Sequence, residues 1–549
     1  VAMLCQVMLN GGGYGNNAFF SKDVIDEFTK PKSIDNANWG LGWWREADNS
    51  SRMYYFGPQS SSSTYGHQGW TGTITVIDPE SNLVIVLLTN KKNSPVIDPA
   101  SNLNDFVCDN YTVGALGIIS GLIYESLNTH NIQATDANLY TMVTDRLKVL
   151  DGCCGQYDET VHLADACAMV DVLVTRAEER NTPKTKEYAE KALATLSDIV
   201  EHKLVKNESK DLGNQVVPEL TARLNAVSGN QSENSDVSKC TVTQLSSLPA
   251  NADAQASLAY PSQLGSPTTS KILAGNLFTF KGYQNQGTLY ITVKDAQKAE
   301  GLRIFINGAE VDTSQMLAHP GVPFAVDYSR VAVNDRNTIQ VSGMAENVPP
   351  QSAVQIDIPY PTVISGAPED VGMDADILNE IDTIINNDIG NGFTAAELAV
   401  IKDGELVKNT AYGTLNSYNQ DGTPKTDSPA VTTDTLFDIA SNTKMYATNF
   451  AVQNLVTEGL LDINAKVSAY IPGFASQPDK KDLTVKEILE HQAGFPADPQ
   501  YFNNNAAYIQ AHPDLYCQER DQMLEKIIET PLEYQPGTKT QYSDVDYML

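Results

Sequence analysis

The sequence is poor in cysteine and in basic residues, and it lacks any long apolar run. Its seven cysteines are scattered along 549 residues, and none forms a C-x-x-C pair. This spacing indicates neither a disulfide framework nor a zinc site, so we expect mostly buried free thiols. No stretch approaches the about 18 consecutive apolar residues that a membrane-spanning helix needs. The sequence therefore predicts no membrane span.

The shortage of basic residues leaves a strong negative charge. The chain has 37 Lys and Arg against 68 Asp and Glu, a formal net charge of −31. Such a charge repels phosphate backbones and anionic lipid, so nucleic-acid binding is not expected. Hydrophobic residues at 41% and charged residues at 19% are typical of a folded chain. The length predicts three or four domains.

An initiator methionine is also missing. The chain opens at "VAMLCQVMLNGGG", within an amphipathic helical pattern, and stops at "YSDVDYML", where another helix is expected to begin. We interpret the sequence as an internal fragment of a longer protein. The absence of a targeting signal is then uninformative.

Hydrophobic periodicity divides the chain into four regions. Residues 1–112 combine helical patterns with strand-like runs, including a hairpin in "TGTITVIDPESNLVIVLLTN". Residues 113–232 have helical spacing throughout, as in a bundle or spacer. Residues 240–362 are short alternating stretches between turn residues, which predicts a β-sandwich. In residues 365–549 the α/β character returns.

The strongest chemical signal is Ser441-Asn442-Thr443-Lys444. At a helix start, Lys444 lies about one turn after Ser441 on the same face. A desolvated lysine amine can take the proton of a serine, which makes the serine a nucleophile. The alternative is structural, because serine is a preferred N-cap and lysine is a common surface residue. The four residues alone do not decide between these interpretations.

Their context does. The run "TLFDIASNTKMYATNFAVQNL" is followed by "LTVKEILEHQAGFP" and by "YQPGTKTQYSD". This order resembles the serine β-lactamase and penicillin-binding protein superfamily, especially its class C β-lactamase, DD-peptidase and family VIII esterase branch. The resemblance spans roughly residues 366–549. Besides Ser441 and Lys444, its motifs correspond here to Leu483-Thr484, His491, Gly494, Pro536-Gly537 and Tyr542-Ser543-Asp544.

The resemblance implies a role for each of these residues. Tyr542 would be a proton relay between Ser441 and the leaving group. Asp544 stands where the family usually has Asn, and its carboxylate would tend to raise the pKa of Lys444. That substitution puts the rate and the substrate preference in question. We expect His491 to be structural.

A third motif of the family, a His-x-Gly strand on the opposite wall of the pocket, occurs near the other end of the chain. The run "STYGHQGWTGTITVIDPESNLVIVLLTN" carries His67-Gln68-Gly69 on a predicted edge strand. By resemblance, the N–H groups of Trp70 and Ser441 would form an oxyanion hole. His67 would bind the substrate carboxylate or tune the serine; the alternative is a surface histidine beside a glycine turn.

The motifs therefore occur in an inverted order, with two explanations. In a circular permutation, residues 1–112 and 365–549 form one domain. In a tandem array, the C-terminal part of one hydrolase copy precedes the N-terminal part of a second, with the helical spacer and the β-module between them. The tandem array is favoured because the chain opens within one helical pattern and stops where another is expected to begin. Homologous halves of a tandem array would still be able to dock together.

We therefore expect a multidomain chain. One domain is β-lactamase-like α/β, with an antiparallel sheet flanked by helices, and it is divided into two separated pieces of the sequence. The other two are an all-α spacer and an all-β sandwich. The resemblance implies a serine hydrolase that acts on D-Ala-D-Ala peptides, small amides or esters, without metal or organic cofactor. We expect a bacterial extracellular or cell-surface location, and glycan is a candidate ligand of the sandwich. The alternative is a catalytically decayed penicillin-binding-like or glycan-binding scaffold.

Overall fold

A computed structural model describes the chain except residues 32–37, 47–54, 128–135, 156–158, 229–239, 258–276, 346–347, 512, 514–515 and 518. The N-terminal segment is mixed α/β, as its alternating patterns predict. In chain order its elements are α1 (Ala2–Leu9), β1 (Gly13–Tyr14), β2 (Asn17–Ala18), α2 (Lys22–Thr29), β3 (Trp44–Arg45), β4 (Tyr65–Gln68), β5 (Ile74–Asp78), β6 (Leu83–Thr89), β7 (Val96–Asp98), β8 (Asn102–Phe106) and α3 (Gly117–Glu125).

Four long helices follow and share one apolar core. They are α4 (Asp136–Cys153), α5 (Glu159–Arg180), α6 (Pro183–His202) and α7 (Asn207–Ala226). The periodicity predicts a helical region from residue 113, but α3 does not belong to this bundle. Its apolar face, with Ile119 and Ile123, packs instead into the core of the α/β domain. The predicted boundary at residue 232 lies outside the described residues.

The next region contains two antiparallel sheets around a common core. Its elements are β9 (Thr241–Gln244), β10 (Ala256–Ser257), β11 (Leu277–Gly282), β12 (Thr288–Val293), β13 (Arg303–Ile306), β14 (Ala309–Val311), α8 (Ser314–Ala318), β15 (Pro323–Asp327), β16 (Asp335–Ser342), α9 (Pro350–Ala353) and β17 (Val354–Ile358). One sheet has the order β10-β17-β12-β15-β9 and the other β11-β16-β13-β14.

The C-terminal segment returns to the α/β domain. Its elements are β18 (Ile364–Ser365), α10 (Ala375–Gly390), β19 (Ala395–Lys402), β20 (Glu405–Gly413), a π-helix (Lys444–Asn449), α11 (Phe450–Thr457), α12 (Val485–Leu489), α13 (Ala506–Ala511) and α14 (Arg520–Glu529).

The two ends of the chain form one seven-stranded sheet, which we call the composite sheet. Its order is β18-β20-β19-β6-β5-β4-β3, so β6 from the N-terminal segment pairs with β19 from the C-terminal segment. That antiparallel pairing runs from Ala396 opposite Thr89 to Lys402 opposite Leu83. All neighbours are antiparallel except the short edge strand β18, which is parallel to β20.

The sequence of β6, "LVIVLLT", explains why this strand is central. Side chains alternate between the two faces of a strand. Leu83, Ile85 and Leu87 pack into the core beneath α3 and α10, while Val84 and Val86 pack toward α1 and the π-helix. Because both faces are apolar and covered, β6 needs a partner strand at each edge, and β5 and β19 are those partners.

Candidate active site

Ser441 lies just before the helical segment that begins the C-terminal wall of the site. Its hydroxyl accepts a hydrogen bond from the Nζ of Lys444 at 3.2 Å. The preceding Ala440 has φ of 46°, a left-handed conformation that costs a non-glycine residue about 1–2 kcal/mol. The backbone N–H of Ala440 donates to Oδ1 of Asp438 at 2.8 Å, which helps to hold this conformation. Such strain is typical of functional turns.

Lys444 connects the serine to the C-terminal run that carries Tyr542 and Asp544. Its Nζ lies 2.7 Å from Oδ1 of Asp544, and the lysine side chain is only 14% exposed. The same nitrogen lies 5.2 Å from the centre of the Tyr542 ring. The ammonium group therefore contacts a hydroxyl, a carboxylate and an aromatic ring.

These neighbours determine the charge of the lysine. Burial by itself lowers the pKa of Lys444, but the contacts with Tyr542 and Asp544 outweigh it and raise the pKa above its ordinary value. The sequence leads to the same expectation, because a carboxylate replaces the neutral amide of the family pattern. In the resting site Lys444 is an ammonium that donates to Ser441.

Tyr542 is packed among other rings. Its ring centre lies 4.6 Å from that of His491, 6.2 Å from that of His67 and 6.3 Å from that of Trp39. Its hydroxyl oxygen is buried close to Lys444, and within the described part of the chain it makes no hydrogen bond of good geometry. A phenol held rigidly beside Lys444 is suited to exchange a proton with a bound molecule.

The N-terminal wall contacts the turn that precedes Ser441. The hydroxyl of Thr71 donates to the carbonyl of Asp438 at 2.6 Å, and that of Thr73 lies 3.2 Å from the carbonyl of Ile439. Gly69 is required here, since a Cβ at this position would lie 2.1 Å from Oγ1 of Thr73 and 2.4 Å from the oxygen of Ile439. The loop between β4 and β5 is thus in direct contact with the turn before Ser441.

Asn442, the residue after the nucleophile, joins the two walls. Its side chain is 1% exposed. In the amide orientation that satisfies both of its ends, the nitrogen donates to the carbonyl of His67 and to Oγ1 of Thr75, each at 3.0 Å. The oxygen accepts from the N–H of Gly69 at 3.2 Å and from the hydroxyl of Thr73 at 3.0 Å. Asn442 therefore fixes Ser441 against β4.

His67 lies within the site, 1% exposed, which excludes the alternative of a surface histidine. Its ring packs against Trp44 at 5.0 Å between centres, and its Nδ1 lies 2.7 Å from the carbonyl of Gln68. The strand β4 is not the edge strand that the sequence predicts, because β3 pairs with its first two residues. Binding of a substrate carboxylate by His67 stays a prediction.

Trp70 follows the glycine of the motif. Its side chain is 54% exposed, and its ring contacts that of Phe106 at 5.9 Å and the Nζ of Lys92 at 5.2 Å. In the described part of the chain, neither its backbone N–H nor that of Ser441 donates a hydrogen bond to another residue. Both N–H groups remain available, as an oxyanion hole requires.

Sequence reasoning missed two polar residues of the site. Asn442 stands inside the Ser-x-x-Lys motif, where only the first and last residues carry the expected chemistry. Asp546 is buried with Oδ2 at 2.8 Å from Nδ1 of His491. It lies two residues after Asp544 in the run "YSDVDY", and no feature of that run distinguishes a buried carboxyl group from an exposed one.

Among the described residues, no group of three or more His, Cys, Asp and Glu side chains is arranged to hold a metal ion. No helix there has the length and apolar character to cross a membrane.

Comparison with known proteins gave a match to two separate parts of the chain. The Beta-lactamase family model matches residues 27–107 and 381–549, which include six of the seven strands of the composite sheet. These segments belong to the serine β-lactamase and penicillin-binding protein superfamily. Comparison with solved structures gave no match.

The similar curated proteins include three from Salmonella heidelberg, Salmonella typhimurium and Salmonella newport, each named "Putative D-alanyl-D-alanine carboxypeptidase". Each is 47% identical over 198 residues, which is 35% of this chain and 44% of the relative. The chain thus spans less than half of the length of these relatives.

Proposed function

We propose that the composite site is that of a serine hydrolase that forms an acyl-enzyme on Ser441. The observation that carries this proposal is the convergence of Ser441, Lys444, Tyr542 and Asp544 opposite the segment His67–Trp70 at the end of β4. The substrates proposed are peptides ending in D-Ala-D-Ala, small amides or esters, at the bacterial cell envelope. The names of the relatives support the peptide among these classes.

The geometry supports a sequence of proton transfers. Oγ of Ser441 attacks the substrate carbonyl carbon, and its proton moves to Nζ of Lys444 in its neutral form, 3.2 Å away. The N–H groups of Ser441 and Trp70 would stabilise the developing oxyanion. As the carbon–nitrogen bond breaks, the hydroxyl of Tyr542 protonates the leaving amine and regains a proton from Lys444. Water then hydrolyses the acyl ester on Ser441 and restores the free serine.

A penicillin tests this proposal, because its strained amide acylates such a serine and the product is stable enough to detect by mass. The full chain would be incubated with a fluorescent penicillin and mapped by peptide mass spectrometry. We expect one adduct, on Ser441, and none in Ser441→Ala. Thr443→Ala is the matched control, since Thr443 is exposed on the same turn and should label like the parent. An unlabelled parent would overturn the proposal.

The substrate class needs a second assay. Release of D-alanine from an N-acylated D-Ala-D-Ala peptide would identify a peptidase, whereas hydrolysis of an aryl ester alone would identify an esterase. Either activity should disappear in Ser441→Ala.

A second candidate is a binding protein without turnover, and one observation favours it. The contact of Lys444 with Asp544 holds the base in its protonated form. Such a protein would retain penicillin without covalent attachment, so the adduct assay separates the two candidates. Retention of polysaccharide by the β-sandwich would point to a glycan-binding scaffold.

A further inference from the structure

His491 lies directly beneath Tyr542, in a backbone conformation that few residues adopt. It follows the short helix α12, is fully buried, and has φ of 55°. Glycine or asparagine is preferred at such left-handed positions after a helix. Because His491 occupies this unfavourable position and is fully buried, we infer that the contacts of its imidazole offset the backbone strain.

His491 contacts the chain on both sides of Tyr542. Its carbonyl accepts from the N–H of Gln541 at 2.9 Å, and its Nδ1 accepts from the N–H of Ser543 at 3.3 Å. Its ring lies against the ring of Tyr542, with centres 4.6 Å apart. One residue therefore fixes the position of both peptide neighbours of Tyr542 and supports one side of its ring.

Asp546 completes this arrangement from below. Its Oδ2 lies 2.8 Å from Nδ1 of His491, and both side chains are buried. A neutral Nδ1 with its lone pair accepts from the N–H of Ser543, and in that tautomer the proton of the contact with Asp546 belongs to a carboxylic acid. Burial, followed by the charge of Asp544, raises the pKa of Asp546 well above its ordinary value. Burial, followed by the charge of Lys444, lowers the pKa of His491 to about 3.

We propose that His491 is a positioning residue for Tyr542, held as the neutral Nε2–H tautomer by a hydrogen bond from a protonated Asp546. The proposal rests on the proposed function in one respect, the role of Tyr542 as the proton carrier. Neutrality matters because the ammonium of Lys444 is nearby, and an imidazolium would add a second buried cation beside it.

The groups that face this pair come from several elements. The titratable and charged ones are Lys444 from the π-helix, Tyr534, Tyr542, Asp544 and Tyr547 from the C-terminal run, and His67 across the ring of Tyr542. Both acidic neighbours, Asp544 and Asp546, are close to each other, which favours one of the two being protonated.

The tautomer is measured directly by nitrogen NMR on the full chain labelled with ¹⁵N-histidine. The seven histidines are few enough to assign the site by comparison with His491→Asn. We expect a protonated Nε2 and an unprotonated Nδ1 that stay unchanged between pH 5 and 8. A protonated Nδ1, or a titration in this range, would overturn the proposal whether or not the protein hydrolyses anything.

Two substitutions of Asp546 separate a proton donor from a charged partner. Asp546→Asn keeps a donor to Nδ1 and a neutral side chain, so it should acylate with penicillin within about threefold of the parent rate. Asp546→Leu keeps the branching at Cγ but removes the donor, and we expect about a 10²-fold slower acylation with little change in penicillin affinity, as misplacement of a reacting group produces. Equal losses in both variants would contradict the proposal.

The pH dependence of stability gives an independent check. Above pH 4 an aspartate in the unfolded chain is ionised, while Asp546 in the folded chain keeps its proton, so rising pH destabilises the parent through this residue. Asp546→Asn removes that effect. The melting temperature of Asp546→Asn minus that of the parent should therefore increase from pH 4 to pH 7. A constant or decreasing difference would show that Asp546 is ionised in the folded protein.

A parent protein that fails to label at Ser441 would refute the proposed function and leave the NMR and stability results interpretable. A parent that labels normally with an Nδ1-protonated His491 would refute only the positioning role.

Discussion

The two walls of the site differ in what they contribute. The C-terminal wall contains the reactive groups, since Lys444 contacts Ser441, Tyr542 and Asp544, all from the C-terminal segment. The N-terminal wall contributes shape and backbone donors through Gly69 and its neighbours. The reactive groups of this site thus come from one of the two segments, whereas their placement depends on residues that lie more than 350 positions earlier in the chain.

The largest loss of activity is expected from Gly69→Ala, which changes the N-terminal wall alone. The added Cβ would lie 2.4 Å from the carbonyl of Ile439 and push the nucleophile turn away from β4. We expect acylation by penicillin to slow by about 10²-fold, although every reactive group is intact. Gly390→Ala is the matched control, since a Cβ there has no neighbour within 4 Å, and it should leave the rate unchanged. A normal rate in Gly69→Ala would show that the N-terminal wall does not position Ser441.

A smaller effect is expected from Asp544→Asn, which acts on the C-terminal wall alone. The carboxylate raises the pKa of Lys444, so the neutral amine becomes available only as the pH rises. Removal of the charge lowers that pKa, so the acid limb of the acylation rate should move to lower pH and the rate at pH 7 should rise by about tenfold. An unchanged or higher-pH limb would exclude Lys444 as the base.

The smallest effect is expected from Trp70→Ala. The exposed indole packs on Phe106 and Lys92, away from the contacts that hold Ser441, and the backbone N–H is retained. Acylation should stay within about threefold of the parent, because the N–H and not the side chain is the oxyanion donor. A loss as large as that of Gly69→Ala would assign the indole a direct role.

The sequence predicts the C-terminal wall better than the N-terminal wall for a physical reason. A Ser-x-x-Lys spacing is a local property of a helix start, and the charge of Asp544 makes the raised pKa of Lys444 foreseeable. The joining of the walls depends on Asn442, whose amide has no local signature. The pairing of β6 with β19 depends on register over more than 300 residues, which apolar alternation alone does not specify.

Two further features of the structure are also not predicted from the sequence, the packing of α3 and the pair of His491 and Asp546. The amphipathic pattern of α3 resembles that of the following helices, so periodicity alone assigns it to the bundle, although it packs in the α/β core. The pair of His491 and Asp546 is buried and neutral, and nothing in the sequence marks a carboxyl group that keeps its proton.

The central claim is that the two distant segments form one sheet and one site, and a disulfide between β6 and β19 tests it most directly. Leu88 lies opposite Glu397 in the antiparallel pairing, a separation of about 4.5–5.5 Å between Cα atoms that suits a disulfide. We expect Leu88→Cys with Glu397→Cys to cross-link on oxidation. The control pair, Leu88→Cys with Thr410→Cys, should not, because Thr410 is in β20, on the far side of β19.

Oxidation of a mixture of ¹⁵N-labelled and unlabelled chains shows where the link forms. The account predicts that peptides containing residues 88 and 397 are joined within one chain, and that the cross-linked protein still labels at Ser441 with penicillin. No link, or a link only between labelled and unlabelled chains, would contradict the composite site.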